Sequence, residues 1–565
     1  MKSAFRDLKN KIPIATWLPN YQPNLLRGDI VSGITVWGVI VPAAMAFAGL
    51  AGLPVQEGLY AAFAGLVAYA LFSTSRHVKV TASSTMAIMS AAIISDLGGG
   101  GNLARYAALS AVLALVVGSA LLLSGIMRLG FISEFLSKPV VTGFLFGVAL
   151  DIIIGQAPKL FGVTTSNSGN LFERATQLIM KLANTNVWTL AVGLGSLLLI
   201  TILKRYFGRI PAGLVALVFG ILASLTFNLE QHGVSVVGSI PAGLPSLVIP
   251  NVSVSDLALL IGGAGGIVFL ALGETIGAAR GFASRNHYEI NPDQELMALG
   301  IANLCAGVFQ GFTVDASMSA TTTGEAAGGQ TQLSSIFSSI LILATLAFLG
   351  PLFASLPNAV LAAVVISAVS GLLDVKALKG FYQDFRMDFL PAIIALIGVI
   401  TVDLVSGLLI AVFLSVVLVV YVASRPHVAV LGMVPSQPSN YSDSEHNPHV
   451  KPIPGLLILR IDAPLFFANA NITRSQILNA TASSPKAVLL DLSASSTLDF
   501  TSLDMLVTLF SDLQAAGIEL LLAHVRAPAL EKLRRSGLLD KIGESHIFLS
   551  VDSGVQAFLA RHPVE

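Results

Sequence analysis

The sequence is poor in charge and nearly devoid of cysteine. Asp, Glu, Lys and Arg make up 11% of its 565 residues, against about 25% in an ordinary soluble domain, so most of the chain has too little polar surface to stay in water. Formal net charge is +0 and Lys and Arg form no long block, which removes the basic stripe that a nucleic-acid binder needs to neutralise phosphates. The one cysteine, Cys305, lies in an apolar run. An intramolecular disulfide and a cysteine-rich metal site are excluded, and the residue reads as packed core. His77, His232, His287 and His427 show no metal-ligand spacing. There is no GxxxxGKS loop to cradle ATP, no HExxH and no GxSxG, so neither a catalytic residue nor a bound metal is expected, and no cofactor beyond a coupling Na⁺ or H⁺.

What is present is apolar: 54% hydrophobic residues and a mean hydropathy of +0.79. Residues 1–28 are polar and carry Lys2, Arg6, Lys9, Lys11 and Arg27. The apolar run behind them is too long for a signal-peptide core, so the first span stays in the membrane. Runs of the roughly 20 residues that a membrane helix needs then recur about fourteen times within 29–425. The first seven lie near 29–50, 55–73, 79–96, 105–126, 137–156, 187–204 and 211–228. The second seven lie near 257–279, 292–310, 315–328, 331–355, 358–374, 388–404 and 405–424. Arg76/Lys79, Arg128, Lys204/Arg205/Arg209, Arg280/Arg285, Lys376/Lys379/Arg386 and Arg425 fall in alternate loops. Cytoplasmic loops collect such charge, which predicts an even span count with both termini cytoplasmic in a multi-pass plasma-membrane protein. The long loops 158–186 and 229–256 fall outside. The segment 426–454, rich in Pro, Ser, Asn, Asp and His, reads as a linker to a soluble α/β domain over 455–565. Strands are predicted there at 456–461, 486–491 and 518–525, with helices near 470–482, 502–516, 527–538 and 552–561.

Two segments are unusual for lipid. KVTASSTMAIMSAA (79–92) and VDASMSATTTGEAAGG (314–329) are short, rich in small hydroxyl residues, and stand third in each seven-span half. Matched interrupted segments point to a transporter site built from broken helices. Because seven is odd, the halves are inverted, and two half-helices meet near the midplane with their N-termini facing. Unpaired N–H groups and about half a positive charge at each N-terminus favour an anion between them. Ser83, Ser84, Thr85, Ser317 and Ser319 could add donors, although small residues also serve close helix packing. Glu274, deep in GGIVFLALGETIGAARGFA, is a candidate coupling site for H⁺ or Na⁺, since a carboxylate at that depth is costly unless protonated, paired or solvated. Asp315 reads as an N-cap of the second half-helix or as a further coupling residue. Asp151 is a packing partner or a second ion site, and Glu325 faces water or a partner.

The sequence resembles the SulP anion permeases, relatives of pendrin and prestin. The likeness rests on WLPNYQPNLLRGDIVSGITVWGVIVPAAMAFAGLAGLPVQEGLYAA, on GFLFGVALDIIIGQAPKLFG and on NPDQELMALGIANLCAGVFQGFTVDASMSATTTGEAAGGQTQ. DLSASSTLDFTSLDML (491–506) is similar to the strand, loop and helix of a STAS domain. The resemblance implies fourteen spans in a seven-plus-seven inverted repeat, a core moving against a gate, a homodimer, a STAS domain open to cytoplasmic partners, and an anion site between the third and tenth spans. Carried over, that site falls on Ala43, Phe47, Thr81, Ser83, Ser84, Thr85, Ser317, Met318, Ser319 and Ala320, with Glu274 and Asp315 for the coupling ion. Three positions depart from the common pattern: a frequent Gln is Ala43, a Gly-Pro is Thr81-Ala82, and a frequent Arg is Ala320. Loss of a buried guanidinium removes a bidentate anion ligand, so bicarbonate or a carboxylate fits about as well as sulfate. Thr501 occupies the position phosphorylated in related anti-sigma antagonists; its plainer role is to cap the helix starting near Ser502. The leading expectation is a coupled secondary anion transporter, with an uncoupled exchanger or channel as the alternative; a membrane enzyme or a tethered scaffold fits the residues less well.

Overall fold

The computed structural model describes residues 13–96, 102–131, 137–165, 171–207, 211–238, 247, 250, 252–402 and 404–563. Lys2, Arg6, Lys9, Lys11 and Arg209, together with parts of the loops 158–186 and 229–256, lie outside them. The chain divides into two compact bodies, one ending at Ser415 and the other beginning at Val416.

Up to Ala423, where the last apolar helix runs on past the division at Ser415, each apolar run becomes a helix. The first half comprises α1 (Leu26–Leu50), α2 (Val55–Phe72), β1 (Val80–Ala82), α3 (Ser84–Asp96), α4 (Leu103–Ile126), α5 (Lys138–Phe161), α6 (Val187–Tyr206) and α7 (Ala212–Phe227). The second comprises α8 (Val254–Arg285), α9 (Pro292–Val308), β2 (Val314–Ala316), α10 (Met318–Ala326), α11 (Leu333–Ala344), α12 (Asn358–Val369), α13 (Arg386–Thr401) and α14 (Leu404–Ala423). Short amphipathic helices, Leu171–Lys181 and Val375–Asp384, run between spans. On α6, α7 and α14 many exposed positions are apolar, among them Leu198, Leu222, Phe413 and Val420, as a lipid-facing surface requires.

Helices α1 to α4 pack with α8 to α11 as one group; α5 to α7 pack with α12 and α13 as another, and α1 touches both. Within the first group α4 and α9 lie almost backbone to backbone. A Cβ placed on Gly118 would come 2.8 Å from the Gly300 carbonyl oxygen, and one on Gly300 would come 2.5 Å from the Leu122 nitrogen. Small residues permit such an approach where lipid supplies no hydrophobic drive between helices. At the boundary of the groups, Gly38 of α1 faces Pro211, and Gly213 of α7 faces Pro42 of α1.

The third position of each half holds a three-residue strand ahead of a half-helix. The strands pair antiparallel, Val80 with Ala316, Thr81 with Asp315 and Ala82 with Val314. The Ser317 N–H extends the ladder to the Lys79 carbonyl at 2.8 Å. Asn303 of α9 acts as a further strand partner: its side-chain amide donates to the Val314 carbonyl at 2.9 Å, and its oxygen accepts from the Val314 N–H at 2.9 Å.

The second body is a six-stranded mixed sheet in the order β4-β3-β5-β6-β7-β8. Its strands are β3 (Val428–Val434), β4 (Gln437–Asp443), β5 (Leu456–Ile461), β6 (Ala487–Asp491), β7 (Glu519–Ala523) and β8 (Ile547–Phe548). Around them are α15 (Ala470–Ala480), α16 (Phe500–Ala515), α17 (Ala527–Arg535), α18 (Leu538–Ile542) and α19 (Val551–Arg561). Strands β5 to β8 are parallel, while β3 runs antiparallel to both β4 and β5. The segment 426–454 is therefore no linker, since it carries β3 and β4. The reason it reads as one lies in β4, QPSNYSD, an edge strand whose outer side needs no apolar face.

Candidate transport site

Each half-helix begins with a serine that spends its side chain on its own first turn. Ser83 Oγ accepts from the Met86 N–H at 3.2 Å, and Ser317 Oγ accepts from the Ala320 N–H at 3.3 Å. The two caps are equivalent under the inverted repeat. Asp315 is thus not the N-cap of the second half-helix; that place belongs to Ser317, and Asp315 sits within β2. Because the caps take only the third N–H of each helix, the first-turn N–H groups of Ser84, Thr85, Met318 and Ser319 remain outside the helical ladder. Met318 (55% exposed) and Ser319 face open space, whereas Ser84, Thr85, Ala320 and Phe47 are buried and Ala43 is half-buried.

Behind the caps lies an acidic pair. Among the described residues no N–H or O–H donor meets either oxygen of Asp315 in bonding geometry, and the hydroxyl of Thr81, opposite it in the ladder, is also unpartnered. What faces Asp315 is the carboxyl of Glu274, with the Ser83 hydroxyl close by. Helix α8 is fixed against β2 here by the Ala316 N–H, which donates to Thr275 Oγ1 at 3.2 Å. Asp315 is buried and Glu274 half-buried, and two carboxyls facing each other there repel unless one is protonated or a cation lies between them. The structure thus brings Glu274, Asp315, Thr81 and both half-helix termini together, and it leaves Ala43 and Ala320 with no polar group to offer.

Other acidic residues singled out in the sequence have structural partners. Asp151 pairs with Arg174 of the amphipathic helix Leu171–Lys181. Glu325 accepts from Arg285 at 3.1 Å and from Asn286 at 2.6 Å. Sequence reasoning missed a buried polar network at the other end of β1. Lys79, counted above as a loop charge, is only 2% exposed and donates through Nζ to Ser334 Oγ at 2.6 Å. Asp29 accepts from the Gln330 and Thr331 N–H groups at 2.9 and 3.0 Å. Glu295 accepts from Tyr69, Thr74 and Ser75. The one signal available was that these charged residues border apolar runs, which a loop charge also does.

The model of the sulfate permease family matches residues 26–395, and that of the STAS domain matches residues 447–554. The chain belongs to the sulfate permease family. It is a membrane transporter of the anion-permease class and not an enzyme. This permease is 36% identical over 557 residues to a probable sulfate transporter of Mycobacterium tuberculosis, covering 97% of this chain and 99% of the relative. It is 31% identical to sulfate transporter 3.1 of Arabidopsis thaliana, covering 97% and 87%. Its fold is that of murine Solute Carrier 26 family member A9, an anion transporter solved in the inward-facing state, with a TM-score of 0.89 at 24% identity over 98% of this chain and 95% of that one. The transmembrane domain of the cyanobacterial bicarbonate transporter BicA matches with a TM-score of 0.60 at 22% identity, over 70% of this chain and 98% of that one.

In the STAS domain of the permease, Asp499 rather than Thr501 caps α16, accepting from the Ser502 N–H at 2.8 Å. Burial pushes the Asp499 carboxyl up, but the hydrogen bonds from Ser502 and from the Phe467 N–H outweigh it and hold the group below its ordinary range. Thr501 stands exposed in the first turn.

Proposed function

We propose that this permease is a secondary active transporter of a small oxyanion, with sulfate first and bicarbonate or a dicarboxylate behind it, coupled to H⁺ or Na⁺ through Glu274 and Asp315. The observation that carries the reading is the half-buried Glu274 carboxyl facing the buried Asp315 beside the two half-helix N-termini. The anion neutralises the helix ends, and a cation bound among Glu274, Asp315 and Thr81 removes the repulsion between the acids; filling both sites together couples the two fluxes. Sulfate stands first because the Mycobacterium and Arabidopsis relatives carry that name over nearly the whole chain. Without a guanidinium at position 320, the anion relies on backbone N–H groups and the hydroxyls of Ser84, Thr85 and Ser319. The same reading assigns the protein to the plasma membrane as a homodimer with cytoplasmic termini, in keeping with the one-sided basic loops, and leaves exposed Thr501 and the STAS domain open to regulation by a cytoplasmic partner.

The test is uptake of radiolabelled sulfate, bicarbonate and fumarate into proteoliposomes, with and without imposed Na⁺ and H⁺ gradients. One anion is expected to accumulate under one gradient, and Glu274→Gln is expected to remove at least tenfold of that gradient-driven uptake. Uptake by Glu274→Gln unchanged at every pH and sodium concentration would sink the coupling. Current at fixed pH without a sodium gradient would make the protein an anion channel.

A further inference from the structure

We propose that His427, Asp443 and His446, with Glu445 as a fourth ligand, form a binding site for a divalent transition metal, Zn²⁺ foremost, on the β3–β4 hairpin of the C-terminal body. His427 immediately precedes β3, Asp443 ends β4, and Glu445 and His446 lie in the turn that follows. The antiparallel pairing, with Leu431 opposite Asp443, brings the two ends of the hairpin together. Sequence spacing hides the set, because the hairpin and not a short motif joins His427 to the other three.

The geometry is that of ligands around a common centre. Asp443 Oδ1 accepts from the Glu445 N–H at 2.9 Å, which fixes the carboxylate plane. Its other oxygen, Oδ2, stands 3.2 Å from His427 Nε2 and 2.9 Å from His446 Nδ1. Glu445 Oε2 is 4.0 Å from His427 Nε2, and the donor atoms of His427, Glu445 and His446 all lie within 4.8 Å of one another. The imidazole planes cross at 87° with centroids 6.2 Å apart, so the rings converge without stacking. A tetrahedral zinc ion with bonds of about 2.0–2.1 Å holds its ligands about 3.3 Å apart, a spacing inside the range found here. Two imidazoles with two carboxylates suit Zn²⁺ better than Mg²⁺ or Ca²⁺, which prefer all-oxygen shells.

The competing reading is a pair of ordinary surface His–Asp contacts. His427 and His446 have side chains 46% and 77% exposed, and exposed ion pairs add little stability. Asp443 Oδ2 can accept a hydrogen bond from each ring; the set goes beyond such contacts in bringing Glu445 within 4.0 Å of His427 as a further carboxylate and in orienting the 12% exposed Asp443 by a backbone N–H, as the outer shell of a metal site orients its ligands. Bound there, the ion would tie the entry of β3 to the exit of β4. The His427 carbonyl, which accepts from the Asp462 N–H at 3.0 Å, would carry the tie on to the end of β5. Metal availability would then set how firmly the sheet edge is closed.

The experiment uses the full-length, untagged chain in detergent, stripped with chelator and titrated with ZnCl₂ by equilibrium dialysis. One ion per chain is expected, with affinity at least tenfold weaker in His427→Ala, His446→Ala and Asp443→Asn, and unchanged in His232→Ala. Co²⁺ in place of zinc is expected to give the visible absorption of a tetrahedral N/O site in the parent and to lose it in His446→Ala, whose side chain makes no packing contact that folding requires at that exposed turn. Absence of saturable zinc binding in the parent overturns the proposal, as does binding that survives unchanged in both His427→Ala and His446→Ala.

Discussion

The residues that shape this protein most strongly are polar groups sealed in an apolar body, each with a defined partner. Asn303 is the clearest case, since its amide satisfies both the N–H and the C=O of Val314 in the strand that carries Asp315. Leucine there would fill nearly the same volume and leave two buried backbone groups unpaired, at about 1–3 kcal/mol each. Asn303→Leu is accordingly expected to lower the thermal unfolding midpoint of the detergent-solubilised protein and to reduce uptake, whereas Asn358→Leu, remote from the strands, leaves uptake far less affected. Melting curves unchanged by Asn303→Leu would show that the strand does not depend on it. Lys79, Asp29 and Glu295 act similarly on the far side of β1, where the two halves of the repeat meet through side chains rather than through lipid-like packing.

At the scale of elements, the body is held by close backbone contact. Gly300→Leu forces α9 away from Leu122 and Gly118 of α4; overpacking of this kind costs typically 1–3 kcal/mol and more where backbone must shift. The expected result is loss of monodisperse protein on size exclusion, while Gly265→Leu on α8, where an added Cβ meets nothing within 4 Å, behaves like the parent. The spans were legible in the sequence because twenty apolar residues leave a membrane chain few alternatives, and 103–126 or 404–423 carry no other message. The strands β1 and β2 were not legible: three residues have no period, and VTA and VDA become strands only because each finds the other across the repeat. For the same reason the cap of the second half-helix was read two residues early, at Asp315 instead of Ser317. The matched third segments and the apolar run around Glu274 could be read from the sequence, but the approach of Glu274 to Asp315 depends on α8 crossing β2, which no local pattern encodes. In the C-terminal body the parallel strands β5 to β7 were legible as apolar runs, while the two-residue β8 was not read and β3 with the polar edge strand β4 passed for a linker.

For the whole molecule, the inverted repeat has an energetic signature. Anything that binds the folded state alone stabilises it by mass action, by about 2.7 kcal/mol at a hundredfold excess over its Kd. A transported anion is therefore expected to raise the melting temperature in a saturable way, and Ser319→Leu, which crowds the open end of α10, is expected to abolish the shift. An anion that leaves the curve unmoved at any concentration is not the substrate. The antiparallel pairing of β1 with β2 fixes the starts of the two half-helices relative to each other. On the proposed reading the strand pair works like a jig, setting the gap between the caps before any anion arrives.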